Sequence, residues 1–256
     1  MFIIKMETII TDINWVDELI PEGLPIRSTT LITGPGGSGK SLIGETFVTA
    51  WLKKGGSVIF MSLQYPSTEF IAESIKNVTG LDVNDYKEKI IFIQLDTGIS
   101  DYHEVNRQII NANLVEPEVW DKVLNLASTK LPDKGPGILI FGSALNLLLF
   151  SPTYGDVILE KIKSTIVSNT TKTYIFSVST SAKAEEISQL EEIADNLILT
   201  RSEKKPFRLF MKILKIGNEQ YDSAEVQIPI SPKTLDHIKE IADHSRRKVI
   251  PAILGM

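Results

Sequence analysis

The sequence contains no cysteine among its 256 residues. That absence excludes disulfide bonds, thiolate nucleophiles and cysteine-ligated zinc. The three histidines, His103, His237 and His244, are scattered, and no third ligand accompanies any of them at metal-binding spacing. We therefore interpret them as surface histidines. The composition fits a cytoplasmic protein.

The sequence also lacks an excess of positive charge and a long apolar run. A net charge of −5 and a pI near 5.4 give no general electrostatic attraction for nucleic acid. A local basic stretch, Lys204 to Lys215, is interpreted as the solvated face of a strand. The longest apolar run, Ile138 to Phe150, is interrupted by Gly142 and Ser143 and is too short to cross a bilayer. We expect no membrane insertion.

What the chain does contain is a complete phosphate-binding loop of the form G-x-x-x-x-G-K-[ST]. It reads Gly34, Pro35, Gly36, Gly37, Ser38, Gly39, Lys40, Ser41. A β-branched strand, Thr29 to Thr33, precedes it, and apolar residues recur at helical spacing after it until Gly55. This strand, loop and helix order is the context that the motif requires.

The residue types in the loop explain its chemistry. Glycines let several backbone N–H groups point at one oxyanion, and the following helix adds its positive dipole end. Gly36 to Lys40 are expected to supply those donors. Lys40 is predicted to reach the β- and γ-phosphates, and Ser41 to ligate Mg²⁺. The predicted ligands are ATP or ADP with Mg²⁺, with the preference for adenine over guanine left open.

Strand and helix patterns alternate along the chain and predict a single α/β domain over residues 1–256. Residues 245–256 are interpreted as a basic tail, for which we expect disorder. The order predicts a RecA-like, doubly wound, mostly parallel sheet flanked by helices, with antiparallel strands near the C-terminus. The stretch from about Tyr102 to Ser128 is predicted to be largely helical, and Phe207–Ile216 and Ala224–Ile230 are predicted to form a hairpin. The alternative is a small-molecule kinase of the P-loop class, but few arginines are present to form its lid.

The segments around the loop carry a family resemblance. The leader and first strand of the KaiC-like ATPases, which belong to the RecA/RadA superfamily, are resembled by three segments: Ile13–Ile20, Gly23–Pro25 and Ser28–Gly34. The resemblance is to the archaeal-type KaiC-like or RadA paralogues. Ile193–Leu199 is similar to a later segment of that family. Leu214–Gly217 falls where the family has a K-x-R-G strand. The resemblance covers most of the chain, without the stretch from about Tyr102 to Gly135.

The chain departs from that family at the positions that would catalyse hydrolysis. Where the resemblance places paired carboxylates, this chain has Gln64 and Tyr65, so that Gln64 is expected at most to position water. Where it places the Mg²⁺-binding aspartate, this chain has Gly142, which leaves only the Ser143 hydroxyl. In the family a Lys and an Arg reach a neighbouring subunit's γ-phosphate. Here only Lys215 remains.

Two further sets of polar residues are candidates for the site. Asp96 follows the predicted strand Ile90 to Leu95 and is a candidate replacement acid, although a turn aspartate is the favoured interpretation. Ser177, Ser179, Thr180 and Ser181 end another predicted strand, where the family has a polar sensor. These residues either contact the nucleotide or are solvated loop residues, and the two interpretations stay equally open.

These observations predict an ATP-binding protein with weak or absent hydrolysis, in which nucleotide is a regulatory or structural ligand. The resemblance implies a homo-oligomer or a regulatory protein partner. Two alternatives stay open: an active ATPase or autokinase that uses noncanonical acids, and a DNA-binding RadA-like recombination paralogue.

Overall fold

A computed structural model of the chain describes residues 7–169, 171–217 and 220–256. Its first half contains β1 (Thr8–Ile9), α1 (Asn14–Asp17), β2 (Leu24–Pro25), β3 (Thr29–Thr33), α2 (Lys40–Lys53), β4 (Ser57–Ser62), α3 (Thr68–Thr79), β5 (Ile90–Leu95), β6 (Tyr102–Glu104), β7 (Ile109–Ala112) and α4 (Pro117–Lys130). Its second half contains β8 (Ile138–Ser143), α5 (Gly155–Ser168), β9 (Thr173–Ser177), α6 (Ala184–Ile193), β10 (Asn196–Lys204), β11 (Phe207–Ile216), β12 (Glu225–Ile228), α7 (Pro232–His244) and α8 (Ile250–Leu254).

Ten of these strands form one sheet, in the order β12-β11-β10-β3-β9-β8-β4-β5-β7-β6. The seven strands from β10 to β7 in that order run parallel to their neighbours, whereas β11, β12 and β6 are antiparallel to theirs. β1 and β2 form a separate small antiparallel pair. The predicted fold class, a mostly parallel sheet with antiparallel strands near the C-terminus, is confirmed.

The sheet is buried on both faces because side chains alternate along each parallel strand. In β4, Val58 and Phe60 pack with α2 and α3, whereas Ile59 and Met61 pack with α4, α5 and α6 on the other face. α2 is buried along most of its length. The phosphate-binding loop is therefore held between the central strand β3 and a fully packed helix.

The stretch from Tyr102 to Ser128 differs from the prediction. Helix α4 begins only at Pro117, and the preceding residues form β6 and β7 at the edge of the sheet. β7 is only 4 residues long, too short for its alternation of half-buried and buried residues to stand out against the helical periodicity that follows. The prediction of a helix was wrong for this part.

The antiparallel C-terminal strands are confirmed, and β11 pairs with β12 as a hairpin. The predicted connecting loop includes residues 218 and 219, which lie outside the described residues. A second antiparallel pair, β10 with β11, was not predicted. The pairing runs along the whole of β10, which extends to Lys204, four residues past the predicted end at Thr200.

The segment after α7 is helical and packed, so the expectation of a disordered tail was wrong. A π-helical turn, Ser245–Val249, leads directly into α8. Ile253 of α8 is fully buried in the core cluster on the α4–α6 face. Within the part of the chain that the structure describes, none of the helices has the length and apolar character needed to cross a membrane.

Candidate nucleotide-binding site

The phosphate-binding loop runs from the end of β3 to the start of α2, and two of its glycines are required by geometry. At Gly34, where φ is +142°, an added Cβ would lie 2.2 Å from the Thr200 carbonyl oxygen. At Gly39, where φ is +87°, it would lie 2.8 Å from Leu209 Cδ1. Any side chain at Gly34 would displace backbone, and a positive φ at Gly39 disfavours other residues. The loop has the conformation that its sequence predicts.

Hydrogen bonds hold the loop in that shape. Ser38 Oγ donates to the Pro35 carbonyl oxygen at 2.7 Å and lies 2.5 Å from Thr200 Oγ1 on β10. The Gly36 N–H donates to Ser181 Oγ at 2.8 Å. The loop after β9 therefore touches the phosphate-binding loop directly. These contacts hold the loop backbone in one conformation, in which the Gly36 N–H is bonded to Ser181.

Lys40, the first residue of α2, is folded back over its own loop. Its Nζ donates to the carbonyl oxygens of Gly34 and Pro35, at 2.9 and 2.6 Å, and to Ser38 Oγ at 3.3 Å. Burial lowers the pKa of the Lys40 ammonium from 10.5 to about 7. A phosphate group in the cavity would offer this ammonium charged acceptors and favour its protonated form.

Three polar side chains meet opposite the loop. Gln64 Nε2 lies 2.5 Å from Ser41 Oγ and 2.9 Å from Ser143 Oγ, and donates to both. Ser143 reaches this point because β8 and β4 are parallel neighbours in which Ser143 pairs with Ser62. The structure thus places Gln64, Ser41 and Ser143 in one contact group.

Gly142 faces the other way. A Cβ at Gly142 would lie 2.8 Å from Phe176 Cδ1 and 3.0 Å from Leu145 Cδ2, inside the core on the α4–α6 face. The alternation of side chains in β8 instead directs Ser143 toward the phosphate-binding loop. Ser143, rather than Gly142, therefore faces Gln64 and Ser41 in this structure.

The oxygen donors present fit part of a Mg²⁺ shell. Ser41 and Ser143 supply hydroxyl oxygens on either side of the Gln64 amide. Mg²⁺ prefers oxygen ligands and commonly keeps several waters while it binds substrate phosphates. Ser41 would hold the ion together with those phosphates. Elsewhere, the described residues contain no group of three or more His, Asp or Glu side chains placed to hold a metal.

Glu45 is a buried carboxyl group that sequence reasoning did not single out. It lies one turn after Ser41 in α2 and is fully buried. Tyr65 Oη donates to its Oε1 at 2.7 Å, and Ser74 Oγ of α3 donates to both carboxyl oxygens at 2.9 Å. Burial raises the pKa of Glu45 to about 7, against the opposing effect of these two hydrogen bonds. The sequence signal for this buried carboxyl group was an acidic residue among the apolar positions of the loop helix α2.

A cavity of about 490 Å³ opens in front of the loop, a size suited to a small-molecule ligand. Loop residues Gly36 to Leu42 line one side, and Gln64, Asn146, Ser177, Ser179 and Ser181 line the opposite side. Among the described residues that line it, only Lys40 and Arg246 carry a charge, and none is a carboxylate. The arrangement provides cations, hydroxyls and amides for an anionic ligand.

Asp96 lies elsewhere. It lines a second cavity of about 300 Å³ with Ser62, Gln94, Asn111 and other residues. Its Oδ1 accepts a hydrogen bond from the Gly98 N–H at 2.9 Å, as in an aspartate-initiated turn. The structure does not bring Asp96 to the phosphate-binding loop, so this placement gives no support to its role as a replacement acid.

Comparison with known proteins agrees with this geometry. Residues 9–241 match the family described as "ATPase: KaiC". The chain belongs to the KaiC ATPase family. Membership implies nucleotide binding, in accord with the loop and its cavity.

Similar proteins of this family have been found in archaea. The chain is 28% identical over 171 residues to UPF0273 protein PH0284 of Pyrococcus horikoshii, covering 65% of this chain and 66% of that protein. It is 29% identical over 110 residues to UPF0273 protein MK0039 of Methanopyrus kandleri, covering 41% and 42%. The matched region thus spans less than two thirds of each relative.

The fold also matches a solved structure. The crystal structure of the KaiC-like protein PH0186 from Pyrococcus horikoshii superposes with a TM-score of 0.66, covering 89% of this chain and 97% of that one. The two sequences are only 17% identical. The likeness therefore establishes a KaiC-like fold and no more.

Other positions identified by the resemblance to the KaiC family lie away from the cavity. Lys215 on β11 donates from Nζ to the Ala194 carbonyl oxygen at 2.6 Å. Asp195 accepts from the Thr29 N–H at 2.8 Å, and Asn196 donates to Ser28 Oγ and Thr30 Oγ1. The last two residues fasten β10 to the beginning of β3, which is a structural role. Action of Lys215 in a neighbouring subunit stays a prediction.

The residues that sequence reasoning missed most completely come from the C-terminus. Six of them line the same cavity as the KaiC-type loop: Ile238, Ile241, Ala242, Ser245, Arg246 and Ile250. The only available signal was the apolar spacing of residues in α7. That spacing predicts an amphipathic helix but not the surface on which the helix packs.

Proposed function

We propose that this KaiC-family protein binds ATP as a regulatory or structural ligand and hydrolyses it slowly or not at all. One observation carries the proposal: the described residues lining the cavity include Lys40 and a complete set of loop donors but no carboxylate. Nucleotide binding depends on Lys40 and the loop donors. Proton removal from an attacking water depends on a base that the cavity lining does not offer.

Neither Gln64 nor Glu45 is placed to remove a proton from an attacking water. Gln64 can hold a water through hydrogen bonds, but an amide does not accept a proton from it at neutral pH. The carboxyl group of Glu45 is fully buried and accepts hydrogen bonds from Tyr65 and Ser74. A general base must come within about 3 Å of the proton that it removes, and Glu45 faces α3 instead of the cavity.

The test measures binding and turnover on the same preparation. Thermal unfolding is recorded with Mg²⁺-ATP, Mg²⁺-ADP and Mg²⁺-GTP, and phosphate release is measured with saturating Mg²⁺-ATP. We expect stabilisation of about 2.7 kcal/mol at a hundred times the dissociation constant, with phosphate release far below one per second, against typical enzyme turnover of about 10 per second. Turnover above about one per second, or no stabilisation by any nucleotide, would contradict the proposal.

Assembly into a homo-oligomer, or with a regulatory protein partner, is part of the same proposal. It rests on the family, in which sites lie between subunits. Sedimentation with and without Mg²⁺-ATP measures it, and a monomer under both conditions would remove the homo-oligomer.

Two alternative functions receive less support. An active ATPase or autokinase would need an acid in the cavity, and Asp96 lines a different one. A DNA-binding paralogue would need free cations on one face. In the basic part of β10 and β11, Arg208 pairs with Glu203, and Arg201 pairs with both Glu203 and Glu225. Salt-dependent DNA binding would revive the second alternative.

A further inference from the structure

The C-terminal cap, which we define as residues 232–254, contributes six residues to the lining of the nucleotide cavity. It consists of α7, the π-helical turn and α8. Ile241 is 5% exposed and belongs to the core cluster on the α2 face, whereas Ile253 is fully buried in the cluster on the opposite face. The cap is therefore anchored on both sides of the sheet, with the turn between the anchors facing the cavity.

The turn carries one cation into the cavity lining. Arg246 is, with Lys40, one of only two charged residues among the described residues that line it. Its guanidinium lies 3.7 Å from the Asp243 carboxylate, and both side chains are more than half exposed. An exposed pair of this kind contributes little energy. Arg246 can therefore turn toward an anion in the cavity at small cost.

A second observation points to a ligand at the same place. Ser245 also lines the cavity, and its Oγ is turned away from solvent with no hydrogen-bond partner in the described structure, so that a rotation of this side chain would bring the hydroxyl into the cavity. Buried polar atoms nearly always have a partner, and an exception calls for an explanation. A phosphate oxygen held between the loop and the cap would accept the hydrogen bond that this hydroxyl can donate.

We infer that the cap is a γ-phosphate sensor acting within the same chain, in which Arg246 and Ser245 bind the terminal phosphate of ATP held by the loop. The inference rests on the proposed function. An arginine contacts phosphate through strong, charge-assisted and often bidentate hydrogen bonds. ADP lacks the γ-phosphate, so the cap would dock more tightly with ATP than with ADP. Nucleotide state would then control how firmly the C-terminal helices are held.

The neighbouring arginine provides a matched control. Arg247 is exposed and is not among the residues that line the cavity. Arg246→Ala and Arg247→Ala remove the same charge from the same turn, one inside the site and one outside it. Both residues are exposed, so both variants are expected to fold, and thermal unfolding without nucleotide checks this.

The experiment measures the dissociation constants of Mg²⁺-ATP and Mg²⁺-ADP by calorimetry for wild type and both variants. We expect Arg246→Ala to weaken ATP binding about tenfold, with ADP binding changed less than about twofold. Arg247→Ala should leave both constants within about twofold. Equal ATP-to-ADP selectivity in wild type and Arg246→Ala would overturn the sensor while leaving the proposed function intact. Absence of nucleotide binding in the wild type would overturn both.

Hydrogen exchange provides a second measurement. Amides of residues 232–254 should exchange more slowly with Mg²⁺-ATP than with Mg²⁺-ADP in wild type and in Arg247→Ala. The difference should disappear in Arg246→Ala. Protection of the cap that is the same with both nucleotides in wild type would contradict the inference.

Discussion

The phosphate-binding loop and the strand ends opposite it carry different functional groups. The loop has the residues that the phosphate-binding motif requires: glycines with positive φ, Lys40 and Ser41, the last two in the cavity lining. The opposite side presents Gln64 and Ser143, an amide and a hydroxyl, at the point where carboxylates would act. On the proposed function, the difference means that holding a nucleotide and hydrolysing it depend on separate parts of this fold. Each part can be altered alone.

The largest effect is expected on the loop side. Lys40→Ala should weaken Mg²⁺-ATP binding by about a hundredfold or more, because truncating one partner of a buried charged contact costs several kcal/mol. Titration calorimetry measures the change. Lys53→Ala, at the exposed end of the same helix, is the control and should bind as the wild type does. Unchanged binding by Lys40→Ala would mean that nucleotide is held elsewhere.

A substitution on the side opposite the loop should introduce the carboxylate that this side lacks. Gln64→Glu introduces a carboxylate beside Ser41 and Ser143, and we expect phosphate release to rise by about a hundredfold, the lower end of the contribution of a positioned base. Gln94→Glu is the control, because Gln94 lines the second cavity. If the two variants release phosphate at the same rate, the missing carboxylate is not what limits hydrolysis.

Glu45 of the loop helix α2 accepts a hydrogen bond from Tyr65, the neighbour of Gln64. Its titration should make the free energy of unfolding depend on pH. Its pKa is raised from 4.5 to about 7 in the folded protein, so the folded state binds more protons than the unfolded state within this window. Its contribution to the free energy of unfolding therefore falls as pH rises from about 4.5 to 7. Glu45→Gln cannot titrate. Relative to wild type, it should gain up to about 3 kcal/mol across that window.

Urea unfolding at several pH values measures this difference. Lys40→Ala is the comparison variant, because the pKa of Lys40 is lowered from 10.5 to about 7 and its titration makes stability depend on pH only above about pH 7. An equal dependence on pH between 4.5 and 7 in wild type and Glu45→Gln would exclude Glu45 as the source.

The same lysine should make nucleotide affinity depend on pH. Because burial lowers the pKa of Lys40 to about 7, the free protein loses this proton at higher pH, whereas bound phosphate favours the ammonium form. Binding then takes up a proton, and ATP affinity should fall by up to about tenfold per pH unit above 7. Calorimetry in buffers of different ionisation enthalpy measures the uptake. No proton uptake at pH 8 would contradict this.

The smallest effect is expected at Asp96. Asp96→Ala should leave ATP binding and phosphate release within about twofold of wild type, because Asp96 lines the other cavity and accepts from the Gly98 N–H. A large loss of turnover would restore its role as a replacement acid.

Much of the site could be predicted from local sequence. The residues of the loop motif stand within eight contiguous positions, and the strand and helix around it follow from periodicity. The contacts with Ser181 and Thr200 that hold the shape of the loop come from distant segments. Gln64 and Ser143 were also predictable as neighbours, because both end parallel strands. The edge strands β6 and β7 were not, since strands of 3 and 4 residues leave little periodic signal.

By itself, the sequence determined the family, the phosphate-binding loop and the loss of carboxylates opposite it, because each is written in contiguous residues. Only the tertiary structure decided that Ser143 faces the loop and Gly142 the core, which depends on strand alternation. It also decided that Glu45 is buried between α2 and α3, and that the C-terminal helices line the cavity. These facts depend on which surfaces pack together, and packing joins residues that lie far apart in the chain.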